Sequence, residues 1–230
     1  MTPWTEVARA RMPGGETLAL RRSGENFEIR CNGWELMSNR APRSEEAIAR
    51  LACSDLPDAP RVLIGGLGMG FSLRAALDAL PSSACVIVAE LVPDIIVWNR
   101  GPLAALAGRP LDDARVCVHC GDVVGLLVGR FDAIVLDLDN GPATPIYENT
   151  TRLYQRDGLE LLRRSLIGAG SLTVAGTLTV WSADRSEAFE AALTESGFTW
   201  RASEVSARGD DGPWHVIYLA RPDEPERRIT

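Results

Sequence analysis

Nowhere in the 230 residues does an apolar run approach the roughly 20 residues that a membrane span needs. The opening stretch, MTPWTEVARARMPGGETL, also lacks the hydrophobic core of a secretory leader. The expectation is therefore a cytoplasmic protein with no membrane partner. Runs rich in Lys and Arg are missing too: 24 basic against 31 acidic residues leave a formal net charge of −7, which argues against nucleic acid and for small ligands. Cysteine is sparse and odd in number, five residues at 31, 53, 85, 117 and 120. Lying mostly within apolar runs, these read as small buried hydrophobes in a reducing compartment, without disulfides. The pair in Cys117-Val118-His119-Cys120 has C-x-x-C spacing, but no second pair completes four ligands, so no metal is expected. Internal repeats and low-complexity segments are absent.

What is present is an ordinary globular composition with 46% apolar residues, enough for one large domain or one domain with a small appendage. ETLALRR and NFEIRCNGWELMS read as short strands, and Asn32-Gly33 between alternating flanks predicts a tight hairpin. PRSEEAIARLAC reads as a helix with Ser44 as its N-cap and Glu45 and Glu46 in the first turn, where the helix dipole favours negative charge. These elements form an expected N-terminal unit over 1–58, a small β-hairpin region plus helix, and 59–230 follows as a second unit.

From Arg61 onward, apolar strands alternate with amphipathic helices. RVLIG, CVIVAE, ARVCVHC, FDAIVLDLD and GSLTVAG read as strands, with helices through FSLRAALDAL, DIIVWNRGPLAAL, DGLELLRRSL and RSEAFEAALTESG. VVGLLVG, between two of the strands, begins with a helix at Val123. This alternation implies parallel crossover units with helices on both faces. TWRASEVS and WHVIYLA are joined by a connection too short for a crossover helix, so they close the sheet as an antiparallel hairpin. The fold class is α/β: a doubly wound, mostly parallel, Rossmann-like sheet ending in an antiparallel hairpin, with a small N-terminal β-hairpin appendage. This outline resembles the class I methyltransferase-like fold.

In such a sheet the ligand crevice lies beyond the carboxyl ends of the strands. RVLIGGLGMG places Gly65, Gly66, Gly68 and Gly70 at that position after the first strand, where a ligand can approach bare backbone. Phe71 stands where a dinucleotide fingerprint has its third glycine, which weakens a pyrophosphate reading. Glu90, followed by Leu91, ends the next strand and can accept hydrogen bonds from both ribose hydroxyls of an adenosine. Asp122, followed by Val123, can accept from an adenine amino group, cap the helix at Val123, or do both. Each position also has a bland reading: a packing glycine, a solvated strand-end charge, a helix cap.

The set RVLIGGLGMG, VIVAELVPDIIVWNR, LDDARVCVHCGDV and FDAIVLDLDNGP is similar to the core of the spermidine/spermine synthase family of polyamine aminopropyltransferases, over about Arg61 to Gly176. The N-terminal hairpins and helix resemble a shortened version of that family's N-terminal domain. The resemblance implies a transferase that moves an aminopropyl group from decarboxylated S-adenosylmethionine to a small-molecule amine, with no metal. It implies that Glu90 holds the ribose and Asp122 the adenine. Trp34 and the hairpins could supply a homodimer surface, as in many relatives; the other tryptophans named, at 98, 181, 200 and 214, are expected mostly in core or interface.

Asp137 and Asp139, two apart at the end of a strand, share one face and form a candidate carboxylate pair for holding and deprotonating an amine. Their bland reading is a loop cap or a partner for arginine. The family typically has D-x-x-D-P here, whereas this chain has Asp137-Leu138-Asp139-Asn140-Gly141-Pro142. Asn140 thus replaces an expected acid and cannot take a proton, so Asp139 is the expected second catalytic group and Asn140 a substrate contact. The long NGPATPIYENTTRLYQRDG segment reads as an irregular loop over the ligand, with Tyr147 and Glu148 as substrate contacts and Tyr154 as a structural residue. His215, in a strand, reads as a satisfied structural histidine. Two alternatives stand: a methyltransferase using S-adenosylmethionine itself, and an inactive nucleoside-binding homologue.

Overall fold

The computed structural model describes residues 2–138, 140–145, 148–168, 175–209 and 212–223. Four antiparallel strands come first, β1 (Thr5–Arg11), β2 (Thr17–Ser23), β3 (Asn26–Cys31) and β4 (Trp34–Ser38), paired in chain order. Asn32 at φ 47° and Gly33 at φ 90° make the expected tight turn, whose twist suits a two-residue hairpin. β1 was not expected from its own residues. Only Ala10 of TEVARAR is buried, so the strand carries little apolar signal and is defined by its pairing with β2.

Helix α1 (Arg43–Ala52) has Pro42 at its N-cap, not Ser44. Ser44 lies inside the helix and is buried on its inner stripe with Ile48, Ala49 and Ala52. Its hydroxyl is engaged by two side chains of the large sheet, as described below, and this tertiary demand overrides its local capping preference.

The large sheet contains β5 (Arg61–Gly65), β6 (Cys85–Glu90), β7 (Val116–Cys120), β8 (Ala133–Leu136), β9 (Thr177–Ser182), β10 (Phe198–Ser206) and β11 (Trp214–Pro222), in the order β10-β11-β9-β8-β5-β6-β7. β5 pairs in parallel with both β6 and β8, so the chain reverses direction across the sheet at β5, and the crevice opens there. The terminal hairpin β10–β11 is antiparallel, as is the β11–β9 pairing. Helices α2 (Phe71–Ala79), α3 (Pro93–Arg100), α4 (Glu148–Leu153), α5 (Arg156–Ser165) and α6 (Glu187–Glu195) complete the fold.

Alternation along β5 sends Val62 and Ile64 into one core and Leu63 into the other, so both faces of the strand are covered. The first core reaches Leu18, Leu20 and Ile29 of the N-terminal sheet, which joins the two sheets through one apolar mass. Among the described residues no helix is long and apolar enough to cross a membrane.

Most of GSLTVAG, at 170–174, lies outside the described residues; the strand between β8 and β11 is TLTVWS at Thr177–Ser182. Several other expectations are corrected. VVGLLVG begins with a single 3-10 turn, Val123–Leu126. α3 stops at Arg100 because Gly101-Pro102 cannot continue a helix. The expected irregular loop contains α4. Cys31 and Cys53 are buried, but Cys85, Cys117 and Cys120 are exposed. β7 is an edge strand, so its side chains have sheet on only one side. Trp98 is buried, while Trp34 and Trp214 are 80% and 58% exposed.

Candidate active site

The loop after β5 folds back on the neighbouring strand ends. Gly66 has φ 89°, its N–H donates to Ala89 O at 2.9 Å, and a Cβ there would stand 2.1 Å from the main-chain oxygen of Asp137. Gly68, at φ 52°, would bring a Cβ to 3.1 Å from Met37 Sδ of β4. Asn99 of α3 pins the loop, its Nδ2 donating to Gly68 O at 2.8 Å and to Ile95 O at 2.9 Å. Gly65 and Gly70 do not line the cavity described next. A Cβ on Gly65 would press on Val123 and Leu136, and one on Gly70 on Asn99 and Pro110, so these two glycines serve packing.

Gly66 and Gly68 floor a cavity of about 820 Å³, part of it open to solvent. The cavity brings together Glu90, Leu91, Asp122, Val123 and Asp137 from successive strand ends and the segments that follow them. Met12, Leu36 and Met37 of the N-terminal sheet region form an apolar wall. Every charged group among the described lining residues is an acid; no Arg or His is among them.

Glu90 is 6% exposed. Its Oε1 accepts from Val92 N–H at 2.8 Å and its Oε2 from Leu67 N–H at 3.0 Å. Burial raises its pKa, and the surrounding backbone N–H groups oppose that shift. The carboxylate is thus aimed by main chain with lone pairs left for a ligand's hydroxyls. Glu90→Ala is expected to cost about 2–4 kcal/mol of stability, because two buried N–H groups lose their acceptor. Glu90→Gln, which keeps one acceptor oxygen, is expected to fold better yet weaken nucleoside binding by about tenfold or more, as read by thermal melting and calorimetry.

Asp122 performs the capping role in full. Its Oδ1 accepts from Val124 N–H at 3.0 Å, and its Oδ2 accepts from Asn149 Nδ2 at 3.0 Å. Asn149 also lines the cavity, a contact with no signal in the sequence.

A second cavity, about 1080 Å³ including open space, lies beside the first. Leu36, Met37, Gly68 and Asp137 line both. Asp137 is pushed up to about 6 by burial, while the Ser72 hydroxyl beside it favours the charged form. Ser72 Oγ is itself buried, falls short of hydrogen-bond geometry to any protein group, and lines the second cavity. Across this cavity stands Glu45 of α1. Burial, then the Asp137 charge, then Glu46 raise its pKa well above the usual carboxylate value.

Ser44, next to Glu45, ties α1 to the large sheet. Trp181 Nε1–H donates to Ser44 Oγ at 3.2 Å, and Ser44 Oγ lies 2.9 Å from His215 Nδ1. The indole can only donate, so Ser44 Oγ accepts from Trp181, while the direction of its bond with His215 depends on the imidazole tautomer. Burial lowers the His215 pKa, which agrees with a neutral ring.

Of the other expected contacts, Asn140 lines the second cavity and its carbonyl accepts from Ala183 N–H at 3.1 Å. Asp139 and Tyr147 lie outside the described residues, and Glu148 is the first residue of α4. Tyr154 is buried, edge-on to Phe189 at 5.4 Å between ring centroids. Sequence reading missed Glu45, Ser72 and His215 as cavity residues. Glu45 stood out only as a first-turn acid, and nothing in its spacing connects it to Asp137.

No protein-family model matches the chain, and no curated protein matches it. Solved structures do. The chain is similar to a spermidine synthase from Thermotoga maritima, with 16% identity, a TM-score of 0.73, and coverage of 96% of this chain and 74% of that one. It is likewise similar to a spermidine synthase in complex with the transition-state analogue AdoDATO, at 15% identity and TM-score 0.70, again covering 96% and 74%. At such identity the likeness establishes a spermidine-synthase-like fold.

Proposed function

Taking that fold as premise, we propose that the chain is an alkyltransferase that moves an aminopropyl group from decarboxylated S-adenosylmethionine to a small-molecule amine. The observation that carries this reading is the meeting of two cavities at Asp137. One is floored by bare glycine backbone and has Glu90 aimed by main-chain N–H groups. The other is lined by carboxyls and holds the space for an acceptor.

The adenosyl group of the donor lies over Gly66 and Gly68, with its ribose hydroxyls donating to Glu90 and its base toward Asp122. Asp137 sits where the two substrates meet. It takes a proton from the acceptor's ammonium, and the freed nitrogen lone pair attacks the carbon next to the sulfonium. The new C–N bond forms as the C–S bond breaks, and its electron pair returns to sulfur to leave a neutral thioether, methylthioadenosine. The proton then passes from Asp137 to solvent.

The lining of the donor cavity favours the decarboxylated donor over S-adenosylmethionine. A carboxylate brought in among Glu90, Asp122 and Asp137 would find like charge and no cationic side chain among the described lining residues. In a calorimetric comparison, the decarboxylated donor is expected to bind at least about tenfold more tightly, the equivalent of one unfavourable charge contact. Tighter binding of S-adenosylmethionine, together with methylated product from an amine panel, would establish the methyltransferase alternative instead.

A further inference from the structure

We propose that Glu45 is the acceptor-binding carboxyl, facing Asp137 across the second cavity and exchanging its own proton for the cationic amine of the acceptor. This inference rests on the transferase reading above. Where Asn140 stands in place of a strand-loop acid, Glu45 brings an acid from the N-terminal helix.

Three observations carry it. First, Glu45 and Asp137 line the same cavity from different elements, α1 and the end of β8. Second, no arginine or lysine is among the cavity's described lining residues, and burial lowers the pKa of its one histidine, which disfavours the cationic form. Glu35, the third acid of the lining, already has Arg40 Nη2 at 2.9 Å. Third, Ser72 Oγ is buried on the cavity wall beside Asp137 but short of hydrogen-bond geometry to any protein group, so a polar group of the acceptor would complete its bonding. An acid pair with no cation and an orphan hydroxyl beside it form a site for an ammonium group that also donates hydrogen bonds.

The proton balance follows from the environment. Among the described residues, Asp137 and Glu46 raise the Glu45 pKa, burial lowers that of His215, and Glu35 is paired with Arg40. With Asp137 ionised, its charge favours the protonated form of Glu45, so the two carboxyls share their titration. An ammonium placed between them favours the charged form of both, and the Glu45 proton leaves to solvent. Asp137 remains the group that deprotonates the bound amine, and Glu45 holds the cation in place while it does so. The Trp181–Ser44–His215 chain fixes the first turn of α1 and with it the direction of Glu45.

The test is calorimetric titration of diaminobutane into the methylthioadenosine-loaded protein, in buffers of different ionisation enthalpy, for the natural chain and for Glu45→Gln and Glu46→Gln. Proton release is expected on amine binding. In Glu45→Gln that release should vanish and affinity should fall about 10- to 100-fold, the worth of a charged hydrogen bond, while methylthioadenosine affinity holds and the melting temperature does not fall. Arg50 Nη2 donates to Glu46 at 2.9 Å, and Glu46 is the smallest of the causes that raise the Glu45 pKa, so Glu46→Gln should keep the amine affinity and most of the proton release. Unchanged amine affinity and proton release in Glu45→Gln would overturn the role of Glu45 and leave the transferase reading standing. Nucleoside binding without any amine binding would overturn the acceptor reading itself.

Discussion

Asp137→Asn is expected to abolish nearly all transfer, lowering turnover about 10²- to 10⁴-fold, the usual contribution of a positioned general base. The substitution keeps the shape of the side chain and removes only its ability to accept a proton, so methylthioadenosine should still bind. With a pKa pushed up to about 6, Asp137 is protonated in mild acid, and the natural enzyme should lose activity as the pH falls through that value. The residual activity of Asp137→Asn should show no such limb. A variant that retains the natural rate, or the natural pH profile at a reduced rate, would assign proton removal to another group.

The same substitution should stabilise the fold. Because the folded-state pKa of Asp137 lies above its ordinary 3.8, the folded chain binds this proton more tightly than the unfolded chain does. Stability contributed by the protonated form is present below about pH 4 and is lost as the pH rises through about 6. Asparagine has no charge to bury, so at neutral pH the variant should gain about 1–3 kcal/mol, and the gain should disappear in acid. Melting temperatures measured across that range check the sign. A group retained at a cost to stability is what a functional role at the junction of two cavities requires.

Gly66→Ala is expected to have the second large effect, the loss of nucleoside binding together with several kcal/mol of stability. The conformation at φ 89° is strained for alanine, and the new Cβ would meet the main-chain oxygen of Asp137 at 2.1 Å. Main chain cannot rotate away as a side chain can, so the loop or the β8 end must move, and either movement disturbs Asp137. Gly24 supplies the control. It sits in the β2–β3 turn at φ 61°, with nothing within 4 Å of the point where an alanine methyl would stand, so Gly24→Ala should cost only about 1 kcal/mol and leave binding intact. If the two variants lose similar stability and both bind methylthioadenosine, the close approach at Gly66 has no functional weight.

The difference between those two glycines could not be read from the sequence, and RVLIGGLGMG itself presents four similar candidates. Gly66 and Gly68 face the cavity; Gly65 and Gly70 are small because Val123 and Asn99 crowd them. Glu90 was legible because strand period and loop order alone put it at the carboxyl end of β6 beside the glycine loop. Glu45 was not, since its role depends on how α1 docks on the far end of the sheet. Ser44 shows the same limit from the other side: a good N-cap residue by local preference was drawn inward by Trp181 and His215.

The alternation of short apolar runs with amphipathic helices settled the doubly wound sheet and its closing hairpin, because hydrophobic period and connection length are local properties that leave few ways to pair strands. The ordered acids at the strand ends came with it, carried by the same topology. Only the tertiary structure decided that the N-terminal sheet walls the cavity at the glycine loop, that α1 brings Glu45 to a second cavity lined by Asp137, and that the two cavities share Asp137. Those are contacts between residues far apart in the chain, set by packing geometry, and no spacing along the sequence encodes them.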